Sequence, residues 1–405
     1  MTENARTTDT QPEQGSAGEV FIAFLKLGLT SFGGPIAHLG YFRDELVTRR
    51  RWLDDRAYAD LVALCQFLPG PASSQVGFAL GMMRAGWSGA LAAFVAFTLP
   101  SALILLVFAL SAASIEGPVG TGALNGLKIV AVAIIAQAVW GMAKNLCPDR
   151  ERATIAVGAV AVLAFLPGAF GMVGAIALGG VAGLALGGGT GTPVGGYVRM
   201  PVSRGIALGA LVIFFALLFL LPLLAGLGQS LAVIDSFYRA GALVFGGGHV
   251  VLPLLQAEVV ATGWVTPDDF LAGYGAAQAV PGPLFTFAAY LGGVLGPEPN
   301  GIAGAALALG AIFAPGFLLL VGVMPYWDRF RAMARAQSFM QGANASVVGI
   351  LGAALYSPVF TSAIGDMHDF TLALLCFVAL MAWKSPPWAV VVLAAMGGVG
   401  LAMLG

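Results

Sequence analysis

Apolar runs of about 18 residues or more recur from one end of this 405-residue chain to the other. That is the length a helix needs to cross a bilayer, and no other feature narrows the fold as far. Composition agrees: 59% of residues are hydrophobic and 10% are charged, with a mean hydropathy of +0.89. A soluble domain carries about 25% charged residues, so this chain has too few to cover a water-facing surface. Its 57 glycines follow no fixed period, which excludes a collagen-like or low-complexity chain. In membrane helices, glycine permits close approach and supplies breaks. The expected fold class is an all-α polytopic membrane protein.

Residues 1–19 read as a polar, disordered tail, with Glu3, Asp9, Glu13 and Glu19 against a lone Arg6. They lack the basic start and apolar middle of a cleaved signal peptide. Cys65, Cys147 and Cys376 have neither paired nor metal-ligand spacing. Cys65 and Cys376 sit in apolar runs and read as buried small hydrophobes. The net charge of −1 points to no partner.

The chain repeats itself, and repeats are sought before anything else. Residues Phe24 to Gly34 read FLKLGLTSFGG and Phe237 to Gly247 read FYRAGALVFGG, an offset of 213. Lys26 thereby falls on Arg239, Gly28 on Gly241, Phe32 on Phe245, and Glu45 on Glu258. At offset 212, Trp52, Gln66, Pro69-Gly70-Pro71 match Trp264, Gln278, Pro281-Gly282-Pro283. Gly89 and Pro100 match Gly304 and Pro315 at 215, and Asn125-Gly126 matches Gln341-Gly342 at 216. One repeat is assigned to 20–190 and the other to 236–405, with a linker over 191–235 carrying one transmembrane helix at about 205–227.

Loop charge sets orientation. Loop 43–56 carries Arg43, Arg49, Arg50, Arg51 and Arg56, whereas its partner 256–269 carries Glu258, Asp268 and Asp269 and no Lys or Arg. Basic loops stay cytoplasmic, so equivalent loops are expected on opposite sides. Further basic stretches fall at 144–152, 199–204, 329–335 and Lys384; acidic or neutral ones fall at 112–124, 228–236, 297–300 and 358–369. All basic loops lie inside only if 21–42 and 57–83 are broken or re-entrant, each returning to its own side. Full crossings then fall near 87–110, 125–143, 153–170, 171–189, 205–227, 301–323, 339–357, 369–383 and 386–404. The single linker crossing inverts the second repeat and leaves the N-terminus and loop 43–56 cytoplasmic.

Gly33-Gly34-Pro35, Gly246-Gly247-Gly248, Pro69-Gly70-Pro71 and Pro281-Gly282-Pro283 all interrupt apolar segments. Each Pro-Gly-Pro removes two backbone donors and disfavours a continuing helix. Irregular backbone at membrane depth belongs where protein buries it or a cavity is lined. Paired breaks in inverted halves point to a binding site near the midplane. Half-helices starting there aim free N–H groups and a positive dipole end inward, which suits an anion. Gln66 and Gln278, one turn earlier, are candidate amide donors. The rival account is that the prolines only kink helices for packing.

Lys26, Arg239 and Lys128 lie in apolar segments, at a cost of about 2.5–3.5 kcal/mol each at the bilayer centre. No acidic residue lies in the matching apolar stretches, Asp60 being the nearest. Unpaired cations around a cavity favour an anionic substrate. The alternative is that Lys26 and Arg239 snorkel to the interface. His38 and His249 follow their glycine breaks at non-equivalent positions and are candidates for proton coupling, or else structural hydrogen-bonders.

The paired F-G-G and Q-x-x-P-G-P motifs, the tryptophan ahead of each, and the duplicated length resemble the chromate ion transporter family, long-chain two-repeat type. The resemblance covers nearly the whole chain outside the tail and linker. It implies export of chromate from the cytoplasm across a bacterial plasma membrane, and chromate resistance. The family's motif positions carry over onto Phe32, Gly33, Gly34, Gln66, Pro69, Gly70 and Pro71, and onto Phe245, Gly246, Gly247, Gln278, Pro281, Gly282 and Pro283. Gly34-Pro35 departs from Gly247-Gly248, which leaves open whether the halves contribute equally.

Chromate and sulfate are close in size and charge, and sulfate or another small anion is the alternative substrate. An enzyme is disfavoured, since the apolar segments hold no HExxH, no Walker A and no dense Asp/Glu/His group, and Ser73-Ser74 lack an evident base. No cofactor, metal or nucleic acid is expected. The expected partners are the oxyanion and the lipid bilayer; monomer and homodimer stay equally open.

Overall fold

The computed structural model describes residues 15–112, 117–187, 202–245, 248–327, 329 and 333–404. Helix α1 (Ala17–Thr30) is followed by α2 (Gly34–Phe42), which a π-helical turn extends over Arg43–Arg49. Next come α3 (Asp55–Phe67) and α4 (Ala72–Ala112), kinked where Ala85 and Gly86 leave helical geometry. Helices α5 (Gly117–Leu146), α6 (Arg150–Phe165), α7 (Ala169–Leu186) and α8 (Arg204–Leu224) follow. The pattern then restarts with α9 (Gln229–Ala242), α10 (Val251–Leu255, with a π turn to Val260), α11 (Pro267–Ala277) and α12 (Phe287–Gly293). It closes with α13 (Gly301–Val323), α14 (Ala334–Ala354), α15 (Met367–Met381) and α16 (Pro387–Leu404). The described elements are all helical.

Local chemistry explains the boundaries, and it repeats. The Asp54 side chain accepts from the Ala57 N–H to start α3, and Thr266 accepts from the Asp269 N–H to start α11, each an N-cap two residues past a repeat-matched tryptophan. Among the described residues, six helices are long and apolar enough to cross a membrane, at 72–111, 117–146, 169–186, 204–227, 301–326 and 334–363. Their outward faces are apolar, with Phe170 91%, Leu223 76% and Leu227 76% exposed, a surface that suits lipid rather than water.

The segments before and after the breaks, counted in α4 only as far as its Ala85–Gly86 kink, are too short to cross. At 1.5 Å per residue, the 14 residues of α1 span about 21 Å, against about 30 Å of hydrocarbon. Their ends meet instead. The Gly15 N–H donates to the Arg84 carbonyl at 2.9 Å, Arg84 pairs with Glu19 at 3.1 Å, and Trp52 Nε1–H donates to Glu19 at 3.1 Å. The start of α1, the loop after α2 and the end of the first part of α4 therefore share one locus. Both α1–α2 and α3–α4(72–84) enter and return at the same end, and Gly86 is where the full-length part of α4 begins. In the second half the Gly296 N–H donates to the Trp264 carbonyl at 2.8 Å, closing α11–α12 in the same way.

The two halves are interlocked rather than side by side. Helix α5 packs on α16, and α14 packs on α7. A Cβ on Gly126 would sit 2.1 Å from the Ala394 carbonyl oxygen, and one on Gly342 would sit 2.0 Å from that of Gly179. These repeat-matched glycines set the contacts, as small residues do in membranes. Helix α6 also packs on α14 and α15 on α5, so each half's terminal hairpin holds the other half's long helix. Helix α8 lies on α13, with Gly322 against Leu211.

Two expected boundaries shift. Helix α1 begins at Ala17, capped by Ser16, inside the segment assigned to the tail; residues 1–14 lie outside those described. Helix α9 begins at Gln229, inside the segment assigned to the linker. Both halves thus start earlier than the matching motifs, because a first half-helix must run out to the surface before its motif begins.

Candidate functional site

Glycine makes each of the three described breaks. Gly33 and Gly34 have φ of 98° and 79°, Gly70 has 123° and Gly282 has 106°, all in the left-handed region that side chains disfavour. Gly246 and Gly247 lie outside the described residues. The breaks clasp one another across the halves. The Gly70 N–H donates to the Val244 carbonyl at 2.8 Å, and the Gly282 N–H donates to the Ser31 carbonyl at 2.9 Å. Ser31 and Val244 are repeat equivalents, as are Gly70 and Gly282, so this is one interaction made twice. Pro35 and Gly248, equivalent again, face each other: a Cβ on Gly248 would lie 3.2 Å from Pro35 Cγ.

Around this clasp lie Pro69, Pro71, Pro281 and Pro283. Phe32 and Phe245 are half-buried, Phe32 with its ring 6.4 Å from that of Trp388. Gln278 caps α11, and its Nε2 is buried without a partner. Gln66, by contrast, is exposed. Sequence reasoning missed Gln75. Fully buried, its Nε2 donates to the Pro69 carbonyl at 3.1 Å and the Gly316 carbonyl at 2.9 Å, joining the first Pro-Gly-Pro turn to the second half. Its place one turn after Pro71 was the available signal.

Two expectations are corrected here. The Gly70 and Gly282 amides are not free to face an anion; they are already spent on the clasp. Nor are the basic residues unpaired. Lys26 bonds Glu45 at 2.7 Å, and Arg239 bonds Glu258 at 2.9 Å and Asp235 at 2.8 Å. Lys128 pairs with Asp268 at 3.2 Å. For Lys26 and Arg239 the reason is the re-entrant turn, which brings a carboxylate 19 residues along the chain back beside the cation; Asp268 reaches Lys128 from the other half. The common offset of Lys26/Arg239 and Glu45/Glu258 was the sequence signal for it. A charge leaving water is far less costly when paired.

Glu45, in the loop beyond α2, also accepts from Arg49 at 3.2 Å and Arg50 at 2.9 Å. Burial pushes its carboxyl up, but hydrogen bonds from Lys26 and Arg50 and the surrounding positive charge hold it down at about 2.

His38 is buried, with Nδ1 3.4 Å from Ser73 Oγ and Nε2 without a partner. Ser73 therefore does have an imidazole beside it, contrary to expectation, though no carboxylate is seen bonding that ring among the described contacts. His249 shares a 2.8 Å hydrogen bond with the Tyr274 hydroxyl. Among the described residues, no group of three His, Cys, Asp or Glu is placed to hold a metal ion. What the arrangement offers is a pseudo-symmetric junction of broken helices, buried, with cations paired at its margins.

A family model described as "Chromate transporter" matches residues 18–184 and 231–399, the two halves in turn. The chromate transport protein of Pseudomonas aeruginosa is 30% identical over 415 residues, covering 97% of this chain and 94% of that protein. The probable chromate transport protein of Synechococcus elongatus is 30% identical, covering 93% of each. The chromate transport protein of Cupriavidus metallidurans is 28% identical, covering 97% and 98%. No solved structure matches the chain.

Proposed function

This chain belongs to the chromate transporter family, and from that premise we propose that it is a secondary transporter moving chromate out of the cytoplasm by alternating access. The observation that carries this reading is the doubled clasp of Gly70 on Val244 and Gly282 on Ser31. Four half-helix ends meet there in pairs related by the repeat, the arrangement in which inverted-repeat carriers place a midplane site. The halves are inverted in the membrane, 20–190 against 236–405, with the N-terminus and the arginine-rich loop 43–56 inside and the protein in a bacterial plasma membrane.

Transport then follows from exchange of partners. When the halves rock, one clasp opens and its glycine N–H turns from a carbonyl to a substrate oxygen, a charge-assisted bond of greater strength. The opposite clasp opens on the other side of the membrane. Lys26, Arg239 and Lys128, held by their carboxylates, act at a distance as part of the approach potential rather than as ligands. Loss of chromate from the cytoplasm by this route confers resistance.

The test is chromate uptake into inside-out membrane vesicles containing the protein, with excess sulfate as competitor. Protein-dependent accumulation that resists sulfate is the expected result. Accumulation that sulfate abolishes makes this a general oxyanion carrier. No accumulation under any imposed ion or pH gradient rejects chromate export.

A further inference from the structure

Ser31 Oγ, His38 Nε2 and Thr98 Oγ1 are buried and have no hydrogen-bond partner; the three side chains are 0%, 1% and 2% exposed. More than nine in ten buried polar groups in proteins are bonded, so three orphans in one neighbourhood require an explanation. They are neighbours through Gly282 and Phe97. The Gly282 N–H bonds the Ser31 carbonyl. A Cβ on Gly282 would meet Ser101 Oγ at 2.8 Å and the Phe97 carbonyl at 3.3 Å. The Ser101 hydroxyl donates to the Thr98 carbonyl at 3.0 Å, and the His38 ring sits edge-on to Phe97 at 5.4 Å.

The fold does not need these groups. At the repeat-equivalent positions of the second half stand Val244 for Ser31, Val251 for His38, Phe285 for Ser73, Phe313 for Thr98 and Gly316 for Ser101. The same half-helices form there with apolar residues, and Val244, Val251 and Phe313 are equally buried. Phe285 and Phe313, at the positions of Ser73 and Thr98, pack against each other with ring centroids 5.6 Å apart. Polarity at these positions is therefore a property of one half only.

We propose that the hydroxyl and imidazole donors to a tetrahedral oxyanion come from the first half, from Ser31, His38 and Thr98, with the second half supplying an aromatic wall opposite and the unpartnered Gln278 amide. The inference rests on the transport reading above and gives its substrate site a side. When the Ser73 hydroxyl donates to His38 Nδ1, Nε2 carries the ring hydrogen and joins the two hydroxyls as a donor. The first turn of α4, Ala72 to Ser74, adds a positive dipole end, and Ser74 Oγ there is also buried and unpartnered. Neutral donors and dipoles form the site because the cations picked out from the sequence are already held by carboxylates. A ligand rich in acceptor oxygens satisfies these donors at once.

The experiment is oxyanion uptake by the purified full-length chain in liposomes, reading KM and maximal rate separately. Thr98→Val, which keeps shape and removes the hydroxyl, and Ser31→Ala are each expected to raise the chromate KM about tenfold, the loss of one charge-assisted bond. Thr98→Ser is expected to stay within about twofold of wild type, as is the exposed control Ser111→Ala. A chromate KM unchanged in both Thr98→Val and Ser31→Ala, with wild-type uptake intact, overturns the first-half donors. Should Ser31→Ala not fold, Thr98→Val decides alone. If wild type takes up sulfate and not chromate, the chromate reading falls, and the same comparison on sulfate decides the donors.

Discussion

The amide of Gly70 donates to the carbonyl of Val244 at 2.8 Å, and its repeat image, Gly282 to Ser31, measures 2.9 Å. Residues more than 170 positions apart thus close the same bond twice, so the two broken segments of each half are completed by the other half. Glycine is required at the donor position for two independent reasons. Gly70 and Gly282 have positive φ, and a Cβ would meet Gly316 Cα at 3.0 Å or Ser101 Oγ at 2.8 Å. Gly70→Ala and Gly282→Ala are each expected to cost on the order of 1–3 kcal/mol of stability and to abolish uptake. Melting temperature in detergent and uptake in vesicles check this, and the two variants should behave alike.

The interlocked helices give a second prediction. Gly126→Val and Gly342→Val place a side chain where a carbonyl already stands at 2.1 and 2.0 Å, so each is expected to destabilise by about 1–3 kcal/mol or more. Gly141→Val, at a position with nothing within 4 Å, is expected to change stability by no more than about 0.5 kcal/mol. Comparable melting temperatures for all three would argue against the packing of α5 on α16 and α14 on α7.

Glu45 carries three cations while Lys26 is 48% exposed. Removing the carboxylate should therefore matter more than removing the lysine. Glu45→Gln is expected to cost about 1–3 kcal/mol, and Lys26→Met below about 1 kcal/mol after solvent screening. Denaturation of the two variants side by side distinguishes them, and equal losses would contradict the arrangement.

The same carboxylate sets a pH dependence. Its folded value of about 2 lies below the ordinary value of about 4.3 for a glutamate. A depressed carboxyl contributes stability above its unfolded value, and that contribution is lost as pH falls through the window from about 4.3 to 2. The wild type is expected to lose melting temperature between pH 5 and about pH 3, and Glu45→Gln to lose less of it. Parallel curves would show that Glu45 is not the group responsible.

Lys128 pairs with Asp268, which is 67% exposed, so Asp268→Asn is expected to shift stability by less than about 1 kcal/mol. Lys128→Ala that leaves chromate binding and efflux untouched would remove Lys128 from any part in the approach potential.

Much of this architecture was legible in the residues themselves because the signals are local. Runs of apolar residues mark spans, Pro-Gly-Pro and paired glycines mark breaks, and a constant offset of 212–213 marks the first part of the repeat whatever the chain does between. The helices found at 17–30, 34–42, 55–67 and 204–224 begin or stop where those break motifs stand or span the apolar linker run. The relations among those parts were not legible. Lys26 finds Glu45 only because a turn folds the chain back, Gly70 loses its free N–H only because Val244 arrives from the other half, and α5 meets α16 only because the terminal hairpins cross over. Hydropathy and backbone propensity belong to single residues and short windows, so sequence alone determines which stretches are apolar enough to span a membrane and where its helices stop. Pairing of charges and satisfaction of backbone donors are properties of two segments at once, and those only the tertiary structure decides.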